Sequence, residues 1–241
     1  MTISQRLLKF ARIRLGLKPL IDYAQARSRL IGVAELPIRT VFDIGANVGK
    51  KARQYHRMFP DARIYCFEPV PSTFERLAKN VAAYKGAIVA YPLALGSQPG
   101  RARMLWNLTH SGGSMMLRDG LVSAPHGATR EIDVPVSTLD EIASELPLQD
   151  DILVKIDVEG HDLEVIHGGT NVLRRASAVI VEVPILDAPE NRPGMREFIL
   201  ELSALGYMYR GNLACGYVQG IPRVIDAVFI RPPALNGAKT G

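Results

Sequence analysis

Short apolar runs alternate with amphipathic stretches along most of this chain, from Thr40 to Ile230. Val41-Phe42-Asp43-Ile44 reads as a strand, Gly45-Ala46-Asn47-Val48-Gly49 as a tight turn, and the polar, basic stretch Lys50–Met58 as a helix. Ala62–Phe67 is rich in strand formers and ends in Glu68-Pro69. A helix follows from Pro71, with Ser72 and Glu75 spaced as a capping box and Phe74, Leu77 and Val81 on its apolar stripe. Ala87–Leu95 reads as one further strand, closed by the turn cluster Gly96-Ser97-Gln98-Pro99-Gly100. The order β-α-β-α-β predicts an α/β fold with a mostly parallel sheet and helices on its faces.

The alternation breaks between residues 101 and 136. Arg101–Leu108 and Glu131–Val136 read as an inserted strand pair. Between them runs a long polar loop that begins Thr109-His110-Ser111-Gly112-Gly113-Ser114, and a loop of that length in a compact domain is usually functional. Thr138-Leu139-Asp140-Glu141 is a second capping box, opening a short helix to Leu146. Asp151–Gly160 reads as a buried strand ending in acid and glycine, and the helix after it is interrupted at Gly168-Gly169. Ala178–Val183 is the next strand. Met195–Leu205 is the next helix, with Phe198, Ile199, Leu202 and Leu205 as its core face. Tyr207–Arg210 and Val224–Ile230 close the sheet. The expected organisation is a basic helical extension over 1–38, one domain over 39–233 and a loose tail over 234–241.

Composition narrows the class. Hydrophobic residues make up 47% of the 241, enough for a sizeable core, yet no apolar run approaches the roughly 20 residues that span a bilayer. The N-terminus carries no secretory h-region, so the expected location is cytoplasmic, with Cys66 and Cys215 as reduced thiols. A disulfide between them stays open at this stage.

The net charge of +5 is unevenly placed. Before Thr40 stand Arg6, Lys9, Arg12, Arg14, Lys18, Arg27, Arg29 and Arg39, opposed only by Asp22 and Glu35, which makes that segment +6 and the rest of the chain −1. The main domain is therefore not a nucleic-acid platform, and its few aromatics are not interleaved with Lys or Arg. Ile3, Leu7 and Phe10 recur at helical spacing in the basic segment. Two readings compete for it. A cap docked on the domain, or on a second copy in a homo-oligomer, is favoured over weak contact of residues 1–20 with an anionic membrane surface, because Arg14 breaks the apolar stripe and Trp is absent.

In an open α/β sheet, ligands bind beyond the carboxyl ends of the strands. Here those ends carry Asp43, Glu68, Asp157 with Glu159, and Glu182. Acids at strand ends have no core role, so their accumulation at one edge marks a site. The turn after Asp43 lacks both Gly-x-Gly-x-x-Gly and the Gly-Lys-Ser/Thr of a P-loop. It suits a ligand without a pyrophosphate: Asp43 can attract an ammonium, and the N–H groups around Gly45, Asn47 and Gly49 can hold a carboxylate. Glu68 follows at the spacing from which an acid grips ribose hydroxyls. Asp157, Glu159 and His161 alternate, so on a continued strand they share one face as an acid–base cluster. No His/Asp/Glu set completes a metal site, so no metal is expected. The absence of Gly-x-Ser-x-Gly removes the serine hydrolases. His110, Ser111 and Ser114 of the long loop, and Glu182, are candidates for substrate contact.

Phe42-Asp-Ile-Gly-Ala-Asn-Val-Gly49, Phe67-Glu-Pro69, Ala94-Leu-Gly96, Val136-Ser-Thr-Leu-Asp-Glu141 and Lys155-Ile-Asp-Val-Glu-Gly160 occur in that order. In this series, covering about Thr40 to Ile230, the chain resembles the FkbM family of S-adenosylmethionine-dependent methyltransferases. The resemblance implies a Rossmann-like class I methyltransferase fold: a mostly parallel seven-stranded sheet with one antiparallel strand, the last, near Val224–Ile230. It also implies that the opening loop holds the methionine part of S-adenosylmethionine, that Glu68 with Pro69 holds the ribose, and that Ala94 and Leu95 line the adenine. Asp157, at the methyl end, belongs to both the cofactor and the catalytic set, with Glu159 and His161 beside it. The activity implied is O-methylation of a hydroxyl on a sugar, glycan or natural product. Two rivals remain open. A non-catalytic cofactor-binding scaffold in glycan assembly keeps the same acids, and a nicotinamide-dependent dehydrogenase uses the same sheet but wants the missing glycine motif.

Overall fold

The computed structural model describes residues 31–108, 115–116, 128–185, 192–218 and 220–232. Most of the N-terminal extension, the tail, and the loop residues His110, Ser111 and Ser114 lie outside them. The strands are β1 (Thr40–Ile44), β2 (Arg63–Phe67), β3 (Ile88–Tyr91), β4 (Ala94–Leu95), β5 (Gly100–Asn107), β6 (Met115–Met116), β7 (Thr129–Ser137), β8 (Ile152–Ile156), β9 (Ala178–Pro184), β10 (Met208–Val218) and β11 (Ile221–Ile230). The helices are α1 (Lys50–Met58), α2 (Pro71–Val81), α3 (Leu139–Ser144), α4 (Asp162–Gly168), α5 (Thr170–Arg175) and α6 (Met195–Ala204).

Seven strands form one sheet in the order β10-β11-β9-β8-β1-β2-β3. Only β11 runs opposite to the other six strands of this sheet, as expected for the last strand. The chain builds outward from β1 to β3, then returns to lay β8 on the other side of β1. The sheet therefore reverses its order between β1 and β8, which opens a crevice beyond their carboxyl ends. Both strands are buried along their whole length, because helices cover both faces. Alternate residues feed two cores. Phe42, Ile44, Val154 and Ile156 pack under the α3–α6 side, and Val41, Ile64, Cys66 and Leu153 under α1 and α2.

Several local expectations change. The run read as one strand over Ala87–Leu95 is two, split around Pro92. Proline has no N–H to give the ladder, so the chain leaves the main sheet there and β4 pairs with β7 instead. The inserted pair β5–β7 is thereby part of a second sheet, four-stranded, in the order β4-β7-β5-β6. Ser72 and Glu75 do not form a capping box: α2 starts directly at Pro71, whose ring fixes the first helical φ, with Val70 as its N-cap. At α3 the cap is real, since Thr138 Oγ1 accepts the Glu141 N–H at 3.1 Å. The Glu141 carboxylate, however, takes Ser137 Oγ at 2.6 Å, and the helix ends at Ser144, short of Leu146. Ile199 does not belong to the core face of α6; it is 38% exposed, while Phe198 and Leu202 are buried.

Cys66 lies on β2 and Cys215 on β10, and both are free thiols. Five strand spacings separate them in the sheet, roughly 24 Å at about 4.8 Å per strand, far beyond disulfide reach. Among the described residues no helix is long and apolar enough to cross a membrane.

Candidate active site

The turn after β1 is fixed by main chain. The N–H groups of Gly45 and Ala46 both donate to Phe67 O, at 3.0 and 2.9 Å, tying the turn to β2. On the other side the Asp157 N–H donates to Ile44 O at 3.0 Å, tying it to β8. Gly45 has φ 78° and Asn47 φ 50°, so the turn needs left-handed backbone twice. Steric crowding decides the glycine: a β-carbon on Gly45 would lie 1.9 Å from Asp157 O. Gly49, φ 77°, lets α1 start against α2, where a β-carbon would meet Leu77 Cδ1 at 2.7 Å.

Glu68 organises the second wall. Its Oε2 accepts the Asn47 N–H at 3.0 Å and its Oε1 the Val70 N–H at 2.9 Å. Burial pushes this carboxyl up to about 7, against the opposing pull of those two amides. Each oxygen keeps a further lone pair for a ligand hydroxyl.

The third wall is the segment after β8. Glu159 has φ 53° and Gly160 φ 101°, so the chain turns there, and Asp157, Glu159 and His161 do not continue the strand as its alternation suggested. The turn is pinned from below by Asp162, 1% exposed, which accepts N–H from Gly160 at 3.0 Å and from Val158 at 3.5 Å. Burial raises the Asp162 carboxyl to about 6. His161 is the N-cap residue of α4, and its Nδ1 lies 3.8 Å from Glu164 Oε2.

These walls enclose a cleft of about 190 Å³. Gly45, Asn47, Glu68, Pro69, Ala94, Leu95, Asp157, Glu159, His161 and Glu182 all line it, together with Ile44, Phe67, Val70, Leu93, Met104 and Val158. The acid-bearing strand ends thus meet in one place. Asp43 and Gly49 are not in the wall. Asp43 lies beneath the turn, 2% exposed, with Oδ2 lacking a hydrogen-bond partner among the described residues. Burial lifts its carboxyl to about 6, although Lys155 pulls the other way.

Carboxylate oxygens of Asp157, Glu159 and Glu182 lie within 4.8 Å of one another. Like charges that close need a counter-charge, and side chains supply it. Arg192 Nη1 is 3.3 Å from Glu159 Oε2 and its Nη2 4.0 Å from Glu182 Oε2. Lys155 Nζ is 2.9 Å from Asp157 Oδ2. Glu182 is nevertheless raised, first by burial and then by the charges of Asp157 and Glu159. Sequence reasoning missed Lys155, Arg192, Lys51 and Asp226. For two of them a signal existed: a lysine inside Ile152–Ile156 and an aspartate inside Val224–Val228 are charges in apolar strands, and charged side chains are almost never fully buried unless paired.

The Methyltransferase FkbM domain matches residues 43–209 of this sequence, well over half of it. The chain belongs to the FkbM methyltransferase family. As a member it takes S-adenosylmethionine as its cofactor, and the cleft fits that group: a crowded glycine cradle, a buried acid with a free oxygen under it, and an acid beside an apolar wall of Leu93–Leu95. This FkbM chain is 31% identical over 147 residues to the hexuronic acid methyltransferase AglP of Haloferax volcanii, a match covering 59% of this chain and 55% of that protein. It is 26% identical over 192 residues to the 2-O-methyltransferase NoeI of Sinorhizobium fredii, covering 75% and 76%. The chain thus matches about half the length of the first relative and three quarters of the second. Among solved structures, an FkbM methyltransferase from Methylobacillus flagellatus superposes with a TM-score of 0.53 at 12% identity, over 80% of this chain and 44% of that one, a likeness of fold.

Proposed function

We propose that this protein is an S-adenosylmethionine-dependent O-methyltransferase acting on a hydroxyl of a sugar, glycan or comparable small natural product. The observation that carries the reading is the meeting of the Gly45–Asn47 turn and Glu68 with Asp157, Glu159 and Glu182 around one cleft. In this reading the turn's main chain holds the methionine end, Glu68 the ribose, and Leu93–Leu95 the adenine. When bound, S-adenosylmethionine supplies a methyl group on a sulfonium, already activated for in-line displacement by oxygen.

The chain's own work is then positioning and proton removal. Alignment of two bound reactants can lower a barrier by roughly 7–11 kcal/mol. Asp157, 30% exposed in the cleft wall with Lys155 on its Oδ2, has its other oxygen available to the acceptor hydroxyl. It would accept that proton as the methyl passes from sulfur to the acceptor oxygen, the sulfonium S–C bond breaking and S-adenosylhomocysteine leaving, a contribution of about 10²–10⁴-fold. Glu159, His161 and Glu182 sit where an acceptor's neighbouring hydroxyls would find partners. The activities of the two relatives, on a hexuronic acid and at a 2-O position, support a sugar acceptor.

The test is methyl transfer from labelled S-adenosylmethionine to a panel of neutral sugars, uronic acids and short glycans, with the product split by alkali. An alkali-stable methyl ether is expected. An alkali-labile methyl ester, or transfer only to nitrogen, overturns the O-ether assignment. Asp157→Asn should then lower transfer at least about tenfold, with a smaller loss in cofactor affinity.

A further inference from the structure

Lys155 is the next-to-last residue of β8, a strand flanked by β1 and β9, and its side chain is 1% exposed. A buried ammonium is tolerated only where opposite charge meets it. Three carboxylates do. Asp157 Oδ2 lies at 2.9 Å, Asp226 Oδ1 at 3.6 Å, and Asp43 is the register partner of Lys155 on β1, so their side chains share a sheet face. Lys51, from the start of α1, closes the far end: its Nζ is 3.1 Å from Asp226 Oδ2. The chain Lys51–Asp226–Lys155–Asp157 thus runs from the first helix, through the antiparallel strand, to the cleft wall. Tyr55 of α1, Cys66 of β2, Glu68, Glu159, Asp162 and Glu182 are further titratable groups that act on this cluster.

The geometry is asymmetric in a useful way. Lys155 and Asp226 are buried, whereas Asp157 is 30% exposed and lines the cleft. The main chain of Asp157 is fixed by its N–H to Ile44 O, but the side chain reaches the open cleft, where its rotamer is set by what it contacts. A buried donor on one of its oxygens does aim it. We infer that Lys155 is a positioning residue, anchored by Asp226, that holds one oxygen of Asp157 and thereby presents the other to the cofactor's methionine end and the acceptor. Asp226, contributed by β11, belongs to the site through this lysine and touches no ligand itself. The inference rests on the cleft being the S-adenosylmethionine site.

The test compares wild type, Lys155→Met, and the double variant Lys155→Met with Asp226→Leu, by melting and by calorimetric titration with S-adenosylhomocysteine across pH 5–9. The single variant leaves Asp226 with Lys51 alone and Asp43 without its buried counter-charge, and can fail to fold; the double variant removes Lys155 and Asp226 together and keeps the test alive. Tyr207→Phe, far from the cleft, serves as the variant of purely structural loss. In the folded double variant, affinity should fall several-fold, and the acid limb of the binding profile should move to higher pH, because Lys155 no longer holds down the buried carboxyls of Asp43 and Glu182. Tyr207→Phe should move neither. Wild type that takes up no S-adenosylhomocysteine overturns the reading of the cleft and this inference with it. Wild-type binding, with the double variant unchanged in affinity and acid limb, overturns the inference alone.

Discussion

Gly45 faces the carbonyl of Asp157 with no room for a side chain, since a β-carbon there would sit 1.9 Å from that oxygen. The turn after β1 and the end of β8 are therefore one interlocked unit, and the Gly45–Asn47 wall of the cleft cannot shift without the acid wall. Gly45→Ala should lower stability by about 2–4 kcal/mol, combining left-handed strain with a clash against main chain, and should abolish S-adenosylhomocysteine binding. Gly86, with φ 79° and nothing within 4 Å of where a β-carbon would stand, isolates the strain: Gly86→Ala should cost only about 1–2 kcal/mol and leave binding intact. Urea titration of both variants checks this; equal losses would show that the contact with Asp157 is not what matters.

Stability of the ligand-free protein should fall as pH rises from about 4 to about 7. Burial raises Asp43 from 3.8 to about 6, Glu68 from 4.5 to about 7 and Asp162 from 3.8 to about 6. Over that window the folded state keeps protons that the unfolded chain has released, so the contribution is complete below the unfolded values and drains away as each folded group ionises. Melting temperatures at pH 5 should exceed those at pH 8, and Glu68→Gln should flatten the slope. A profile that rises toward pH 8 would contradict the assignment.

Asp162 holds the acid-bearing turn through the N–H groups of Val158 and Gly160. In Asp162→Asn an amide nitrogen confronts one of those donors. The expected cost is about 1 kcal/mol of stability, with a several-fold larger effect on methyl transfer than on melting would suggest. Activity that tracks stability alone would reduce Asp162 to a structural residue.

Tyr207 closes the carboxyl end of α5, its hydroxyl lying 2.6 Å from Leu173 O and 2.9 Å from Ala176 O. Arg231 stacks over its ring at 4.7 Å and donates to the same two carbonyls. Tyr207→Phe should cost about 1 kcal/mol, because Arg231 still satisfies both acceptors. Cofactor affinity should not change; calorimetry that finds a tenfold loss would tie this corner to the site.

Much of the fold is written locally. A parallel strand buried on both faces reads as an apolar run, as Ile152–Ile156 does, and an amphipathic helix keeps its period, as Pro71–Val81 does. Acids at strand ends stand out for the same reason, so Glu68, Asp157, Glu159 and Glu182 could be picked before any coordinates. Local pattern also misleads locally: Pro92 divides one apolar run between two sheets, and Pro71 starts a helix without the serine cap that Ser72 and Glu75 offer.

What tertiary structure alone decided is which buried groups meet. Lys155 and Asp226 are far apart in the chain, and nothing in either segment names the other. They become partners because β11 lies antiparallel beside β9 while β8 lies parallel on its other side, which turns both side chains to the face under α1. Pattern tells which residues leave water, since that depends on each residue and its near neighbours. The partner a buried charge finds depends on strand order and register, which only the packed sheet fixes.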